Sequence, residues 1–104
     1  MKRRKAMRDE EHEEATIVSF DIPEDDGSHR LIIHRYLHGR VDRKIVNGSE
    51  RTYRYPGILE EGGFRVGQSV YLLPRDLASR LILKLRELGV TYRYWDVIMQ
   101  DSSL

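Results

Sequence analysis

The chain has 104 residues, which predicts one domain, and its hydrophobic fraction of 39% is enough for a small core. It contains no cysteine, which excludes disulfides and cysteine-based zinc or catalytic sites and fits a cytoplasmic protein. Charged residues make up 34% of the chain but the net charge is +1, so composition alone does not indicate a nucleic-acid-binding protein. No apolar run approaches the roughly 20 residues that a membrane-spanning helix needs, and none follows the basic N-terminus as in a signal peptide.

Residues 1–14 join a basic block to an acidic block and contain almost no apolar side chains. Such a segment cannot bury enough surface to offset its ordering entropy, so we predict a disordered arm. Its basic run at residues 2–5 could contact nucleic acid, but a solvated arm is the simpler interpretation. The folded domain is expected to span residues 15–99, followed by a polar tail at 100–104.

The first predicted strand is Ala15–Asp21, an apolar run that ends in a carboxylate just before a proline. The acidic residues 24–26 that follow are expected to form a solvated turn. Ser28 is the expected N-cap of a helix over His29–His38, and Gly39 is the natural residue to end that helix.

An insert at about residues 40–63 contains the clearest local signal of the chain. Asn47-Gly48 separates two β-prone runs, Val41–Val46 and Glu50–Tyr55, and this dipeptide is typical of a tight β-hairpin. Five basic residues against two acidic ones give positions 40–54 a local net charge of +3. The hairpin residues that we predict to contact nucleic acid are Arg43, Lys44, Arg51 and Arg54.

The second half of the chain predicts a strand, a helix and a last strand. The strand region Phe64–Leu73 is interrupted at Gly67, where we expect a bulge or bend. Pro74 suits the first turn of a helix that ends at Gly89, with leucines recurring at helical spacing between them. Thr91–Met99 is the final strand.

With the hairpin set aside, the order of elements is β-α-β(β)-α-β. This order predicts an α+β, ferredoxin-like fold, in which an antiparallel sheet carries two helices on one face, here with an inserted β-hairpin. Both faces of the last strand carry large apolar side chains, so the face away from the helices also needs a covering layer. A homodimer formed sheet to sheet would supply it.

The tetrapeptide Thr-Tyr-Arg-Tyr occurs twice, at Thr52–Tyr55 and at Thr91–Tyr94. Four residues are too few to indicate a duplication, but both copies alternate aromatic and basic side chains on a strand. Exposed, these side chains could stack on bases. Packed at an interface they would be equally ordinary, and we favour the packing interpretation.

Two stretches resemble a known family, and they are Ile17-Val18-Ser19-Phe20-Asp21-Ile22-Pro23-Glu24-Asp25-Asp26 and Arg65-Val66-Gly67-Gln68-Ser69-Val70-Tyr71. They are similar to segments of the small CRISPR-associated endonucleases, the second Cas protein of the spacer-adaptation complex. In that family a first strand ends in aromatic-Asp-Ile-Pro/Thr-Asp-Asp, and a polar-Ser-Val-aromatic strand precedes the second helix. The resemblance covers about residues 15–39 and 64–99 and leaves out the arm and the hairpin. Relatives with the same core, such as toxin-type ribonucleases of the VapD kind, are an equally good match.

The resemblance implies a homodimer that acts on RNA or DNA, either as a metal-dependent nuclease or as a non-catalytic scaffold that holds DNA for an integrase-type protein partner. The family's catalytic, metal-binding aspartate corresponds to Asp21, and its Ser-Val-aromatic segment to Ser69–Tyr71. Mg²⁺ usually takes one or two carboxylates with water and phosphate, so we expect Asp21 of two subunits to share an ion. The alternative is that Asp21 caps the turn before the first helix.

Four other side chains are weaker candidates. Arg65 and Arg75 flank the second motif and are predicted to contact the phosphate backbone of nucleic acid. His34 and His38 have the spacing of a helical zinc site, but the glutamate of that motif and a third ligand are missing. A solvated helix face, or phosphate contacts beside Arg30, explains the histidines better.

Overall fold

A computed structural model describes residues 13–100, and its elements follow the predicted order. The strands are β1 (Glu13–Asp21), β2 (Arg40–Val46), β3 (Ser49–Tyr55), β4 (Phe64–Gly67), β5 (Val70–Pro74) and β6 (Thr91–Met99). The helices are α1 (Gly27–His38) and α2 (Arg75–Leu88), and a 3₁₀ turn covers Ile58–Glu60. Neither helix of this region is long and apolar enough to cross a membrane.

Four strands form one antiparallel sheet in the order β4-β5-β1-β6, and β2 and β3 form a separate two-stranded sheet. β1 lies at the centre of the larger sheet, hydrogen-bonded to β5 on one side and to β6 on the other. With the β2–β3 hairpin set aside, this is the β-α-β-β-α-β arrangement of a ferredoxin-like fold. The predicted fold class, with its inserted hairpin, is therefore confirmed.

The hydrophobic core lies between the two helices and one face of the larger sheet. Its main side chains are Val18, Phe20, Ile33, Leu37, Leu73, Leu77, Leu81 and Leu85. Because side chains alternate along a strand, the buried Val18 and Phe20 place Ile17, Ser19 and Asp21 on the opposite face. The end of β1 thus carries its last carboxylate on the side away from the core.

The first strand begins earlier than predicted. Glu13 and Glu14, which the sequence assigned to the disordered arm, pair with Met99 and Ile98 of β6. β1 begins earlier because β6 is long enough to pair with the two glutamates that precede the apolar run of β1. The rest of the predicted arm, residues 1–12, and the predicted tail at 101–104 lie outside the described residues.

The predicted N-cap of α1 was wrong by two residues. Asp26, not Ser28, accepts a hydrogen bond from the main-chain N–H of His29, at 3.2 Å. Both residues are good N-cap types, so the sequence alone could not choose between them. The predicted end is confirmed, since Gly39 has a φ of 82° and its N–H donates to the carbonyl of Arg35 at 2.7 Å.

The region predicted as one interrupted strand is a second hairpin. β4 and β5 are antiparallel, and Ser69 in the turn between them has a φ of 60°. The irregularity predicted at Gly67 is present, as a shift in register before the pair Gly67–Val70. Gln68-Ser69 is not one of the dipeptides typical of tight hairpins, which is why the turn was missed.

The inserted β2–β3 hairpin is confirmed together with its turn. Asn47 and Gly48 have φ values of 52° and 82°, the two positive angles that a type I′ turn requires. The hairpin leaves the domain through a neck formed by Gly39 and Gly57. A Cβ added to Gly57 would overlap backbone atoms of Leu37 and Gly39, so the two chain segments cross here without room for a side chain.

We expect Gly57→Ala to destabilise the protein by roughly 1–3 kcal/mol, because backbone atoms at the neck cannot rotate away from the new methyl group. Gly27→Ala is the control, since nothing lies within 4 Å of an added Cβ there and alanine favours the helix. Urea denaturation measures both variants. Equal midpoints would show that the neck is not tightly packed.

Candidate nucleic-acid interface and metal position

Asp21 lies at the end of β1 on the sheet face that no described helix covers. It pairs across the sheet with Thr91, and its side chain is exposed. Within residues 13–100 its carboxylate has no hydrogen-bond or ion-pair partner. The alternative prediction, that Asp21 caps the turn before α1, was wrong because Asp26 is the residue that caps this helix.

A single chain does not complete a metal site around Asp21. No group of three or more His, Cys, Asp or Glu side chains in the described region is arranged to hold an ion. Two shallow cavities adjoin Asp21. The first is lined by Ser19, Thr91, Arg93 and Trp95, among others, and adds hydroxyl oxygens and a positive charge but no carboxylate. The second includes Asp26, whose carboxylate is already bonded to His29, so an Mg²⁺ ion would need a second copy of Asp21.

The acidic turn after β1 does not supply that second carboxylate. Glu24 and Asp25 are exposed, as predicted for a solvated turn. Asp26 bonds the main-chain N–H of His29 and also lies 2.7 Å from the Nδ1 atom of its ring. The bond from the His29 N–H is the main cause that lowers the pKa of Asp26, so this carboxylate serves the start of α1.

The uncovered face of the sheet carries a continuous apolar row. Phe64, Leu72, Ile17 and Trp95 are successive register partners across all four strands. At the two ends of the row Phe64 is 42% exposed and Trp95 is 49% exposed. Between them Leu72 is buried and Ile17 is half-buried, so the exposed apolar surface lies at the two ends of the row. Exposed aromatic side chains at both ends, on the same face as Asp21, are typical of an interaction surface.

The four basic hairpin residues predicted to bind nucleic acid lie on two faces. Lys44 and Arg51 are cross-strand partners on one face, whereas Arg43 and Arg54 lie on the other. Arg54 is also paired with Glu60, next to the neck, and this hydrogen bond is the main cause that lowers the pKa of Glu60. The predicted cluster is therefore divided, and one of its members already has a partner.

One face of the hairpin groups basic and aromatic side chains that were not predicted to lie together. Arg40, Tyr53 and Tyr55 share the face of Lys44 and Arg51, and we call these five residues the basic–aromatic face. The guanidinium carbon of Arg40 lies 4.6 Å from the centre of the Tyr55 ring, and Lys44 Nζ lies 5.5 Å from that of Tyr53. A two-residue turn fixes the register, so this grouping could have been found from the sequence.

The two arginines that flank the second motif differ in their surroundings. Arg75 donates to Glu14 at 3.0 Å and to the carbonyls of Ala15 and Val97 at 3.4 Å. It therefore joins the start of α2 to β1 and β6. Arg65 donates only to a main-chain carbonyl of its own hairpin, and within residues 13–100 no carboxylate lies within 4.0 Å of it.

His34 and His38 lie one turn apart on α1, with ring centroids 4.6 Å apart, and both are exposed as predicted. Within the described region no third ligand joins them. His38 Nε2 lies 3.3 Å from the hydroxyl group of Tyr71, a contact the sequence did not indicate. Partial desolvation of the His38 ring against the protein, and then the charges of His34 and Arg65, lower the pKa of His38.

Comparison of the chain with protein-family models, with curated proteins and with solved structures found no match. The resemblance to the CRISPR-associated endonucleases therefore stays a prediction, based on the two motifs and their places in the fold.

We expect Asp21→Ala to change the free energy of unfolding by less than about 0.5 kcal/mol, because its carboxylate is exposed and lacks a described partner. Asp26→Ala should destabilise the protein measurably more than Asp21→Ala does, since it removes the cap of α1. Guanidinium denaturation at neutral pH compares the two. A larger loss for Asp21 would assign a structural role to that side chain.

The cost of Asp26→Ala should also depend on pH. Because the pKa of Asp26 is lowered by folding, its contribution is present above the ordinary aspartate pKa and is lost as the pH falls through the lowered value. The difference in stability between the parent protein and Asp26→Ala, measured by denaturation at a series of pH values, should therefore shrink in acid.

Proposed function

We propose that the protein binds RNA or DNA and acts on it as a homodimer joined through the uncovered face of its sheet. The observation that carries this proposal is the basic–aromatic face of the hairpin, which combines three cations with two tyrosines on one exposed surface. The two motifs resemble segments of the CRISPR-associated endonucleases, and the ferredoxin-like fold is the one that this resemblance implies. Both therefore support an activity on nucleic acid.

The charges of the basic–aromatic face favour an anionic partner. Lys44 and Arg51 stand directly opposite each other, an arrangement of like charges that destabilises a strand pair by itself. The acid on this face, Asp42, lies 3.5 Å from Arg40 and not between the two opposed cations. A phosphate backbone would supply the missing negative charge.

The shape and side chains of the hairpin fit nucleic acid as well. β2 and β3 are exposed along almost their whole length, so the ribbon has two free faces. A two-stranded ribbon fits the major groove of a duplex, and exposed tyrosines can stack on unpaired bases. Both modes use the same basic–aromatic face.

The apolar row supports the dimer. Fully burying a large apolar side chain contributes about 1.5–3 kcal/mol, and Phe64 and Trp95 are both about half exposed in one chain. Two copies of the row packed face to face would bury four such side chains. Because Asp21 lies on the same face as the apolar row, this contact would also bring the Asp21 residues of the two subunits onto facing surfaces.

We expect Lys44→Ala/Arg51→Ala to weaken binding of an RNA or DNA oligonucleotide at least about tenfold and to lower the salt slope of the affinity by about two. Arg43→Ala/Arg54→Ala is the matched control, because it removes the same charge from the opposite face. Fluorescence anisotropy across a range of salt concentrations measures both. Equal losses in the two variants would rule out recognition by the basic–aromatic face.

A second candidate function is metal-dependent cleavage of the bound strand. The observation that favours it is the Asp21 carboxylate, which lies without a described partner on the face proposed to form the dimer. Two such carboxylates match the number that Mg²⁺ commonly takes in proteins. The bound ion would polarise a phosphate or activate water, while the hairpins would hold the strand.

We expect divalent-dependent cleavage of RNA or DNA to fall at least about a hundredfold in Asp21→Ala, because both carboxylates of the shared ligand pair are lost in the variant homodimer. Oligonucleotide binding should be retained. Asp25→Ala is the matched control, because it removes an exposed carboxylate from the turn that follows Asp21. Cleavage that survives in Asp21→Ala or in a chelator would refute the metal role, and binding without any cleavage by the parent protein would leave the scaffold function.

A further inference from the structure

A cleft between α1 and the β4–β5 hairpin has no part in the function proposed above. It encloses about 320 Å³, at the small end of the range for ligand sites. Its floor is apolar and includes Phe20 and Leu37. Its basic side chains are Arg30, His34, His38 and Arg65. We call this site the α1–β5 cleft.

The two arginines of the cleft are held in place by main-chain carbonyls. Arg30 donates to the carbonyls of Ile22 and Pro23, at 3.3 and 2.8 Å, and Arg65 donates to that of Gly67, at 3.0 Å. No Asp or Glu lines the cleft, and within residues 13–100 no carboxylate lies within 4.0 Å of either guanidinium group. Two positioned cations thus share the cleft without a counter-charge.

The histidines add to this unbalanced charge. The groups that face His38 are His34 on α1, Arg65 on β4 and the Tyr71 hydroxyl on β5, and none of them is an anion near neutral pH. Burial lowers the pKa of His38, and the charges of His34 and Arg65 lower it further. A bound anion would reverse these two charge effects and favour the protonated rings.

We propose that the α1–β5 cleft binds a phosphate group, either a monoester on a nucleotide or strand end or a diester of a strand. Guanidinium groups present paired N–H donors that match phosphate oxygens, and protonated imidazoles add further donors. A phosphate accepts hydrogen bonds from more directions than a carboxylate, which suits donors on two different elements. The inference is independent of the proposed function, since the cleft shares no cation with the basic–aromatic face.

NMR titration of the full chain with inorganic phosphate tests the site through the ring signals of His34 and His38. Phosphate should shift both signals and raise the pKa of His38, because the anion favours the charged ring. The titration is followed at about pH 6, where protonation of His38 adds to the positive charge of the two arginines. Ring signals that do not respond to phosphate would overturn the proposal.

Arg65→Gln should weaken phosphate binding roughly tenfold or more, because it removes a charged donor. Arg35→Gln is the matched control, an exposed arginine of α1 that does not line the cleft. If Arg65→Gln proves unfolded, His34→Gln provides the same comparison. Equal weakening in the cleft variant and the control would overturn the proposal.

Two oligonucleotides of one sequence distinguish the sources of the phosphate. Tighter binding at the cleft by the 5′-phosphorylated strand than by the 5′-hydroxyl strand identifies a monoester, and equal binding at the cleft identifies a diester. Lys44→Ala/Arg51→Ala should leave the response of the cleft to inorganic phosphate unchanged. A cleft response that vanishes in that variant would mean that the hairpin carries the binding, and would overturn the proposal.

Discussion

The alternation of side chains along the central strand β1 determines most of what this protein presents to its surroundings. Val18 and Phe20 enter the core beneath the helices, and this fixes Ile17 and Asp21 on the other face. A shift of one residue in register would bury the carboxylate and expose the core. The apolar row and the position of Asp21 both follow from this constraint, which explains why apolar side chains and a candidate metal ligand share one face of the sheet.

The neck at Gly39 and Gly57 explains how a hairpin can interrupt a compact fold. Because the two glycines let the chain segments cross in contact, the insert begins and ends at one place and does not separate α1 from the sheet. The hairpin also gains little packing from the domain, since β3 is exposed throughout. A two-stranded ribbon is marginally stable by itself, so the hairpin depends on its type I′ turn and on its attachment at the neck.

Elements with strong local signals could be predicted from the sequence, and those that depend on tertiary pairing could not. Asn47-Gly48 fixed one hairpin, whereas Gln68-Ser69 has no such signature and needed the neighbouring β1 to define β5. Asp21 could be identified by its motif, but only the structure showed that Asp26 takes the capping role. The basic–aromatic face could have been derived from the sequence, because side chains alternate between the two faces of a strand. The α1–β5 cleft could not, because it joins elements that are far apart along the chain and share no local sequence pattern.

The distribution of charge, rather than its sum, is what makes this nearly neutral chain a candidate nucleic-acid-binding protein. Arg54, Arg75 and Arg80 each form an ion pair with a glutamate, and each of these pairs joins two different segments of the fold. The cations of the α1–β5 cleft and the opposed pair on the hairpin have no such partners among the described residues. A net charge of +1 therefore conceals two surfaces of unbalanced positive charge. Since exposed ion pairs contribute little to stability, the arginines of the cleft lose little by lacking a carboxylate partner, whereas the opposed Lys44 and Arg51 carry the cost of a like-charge pair.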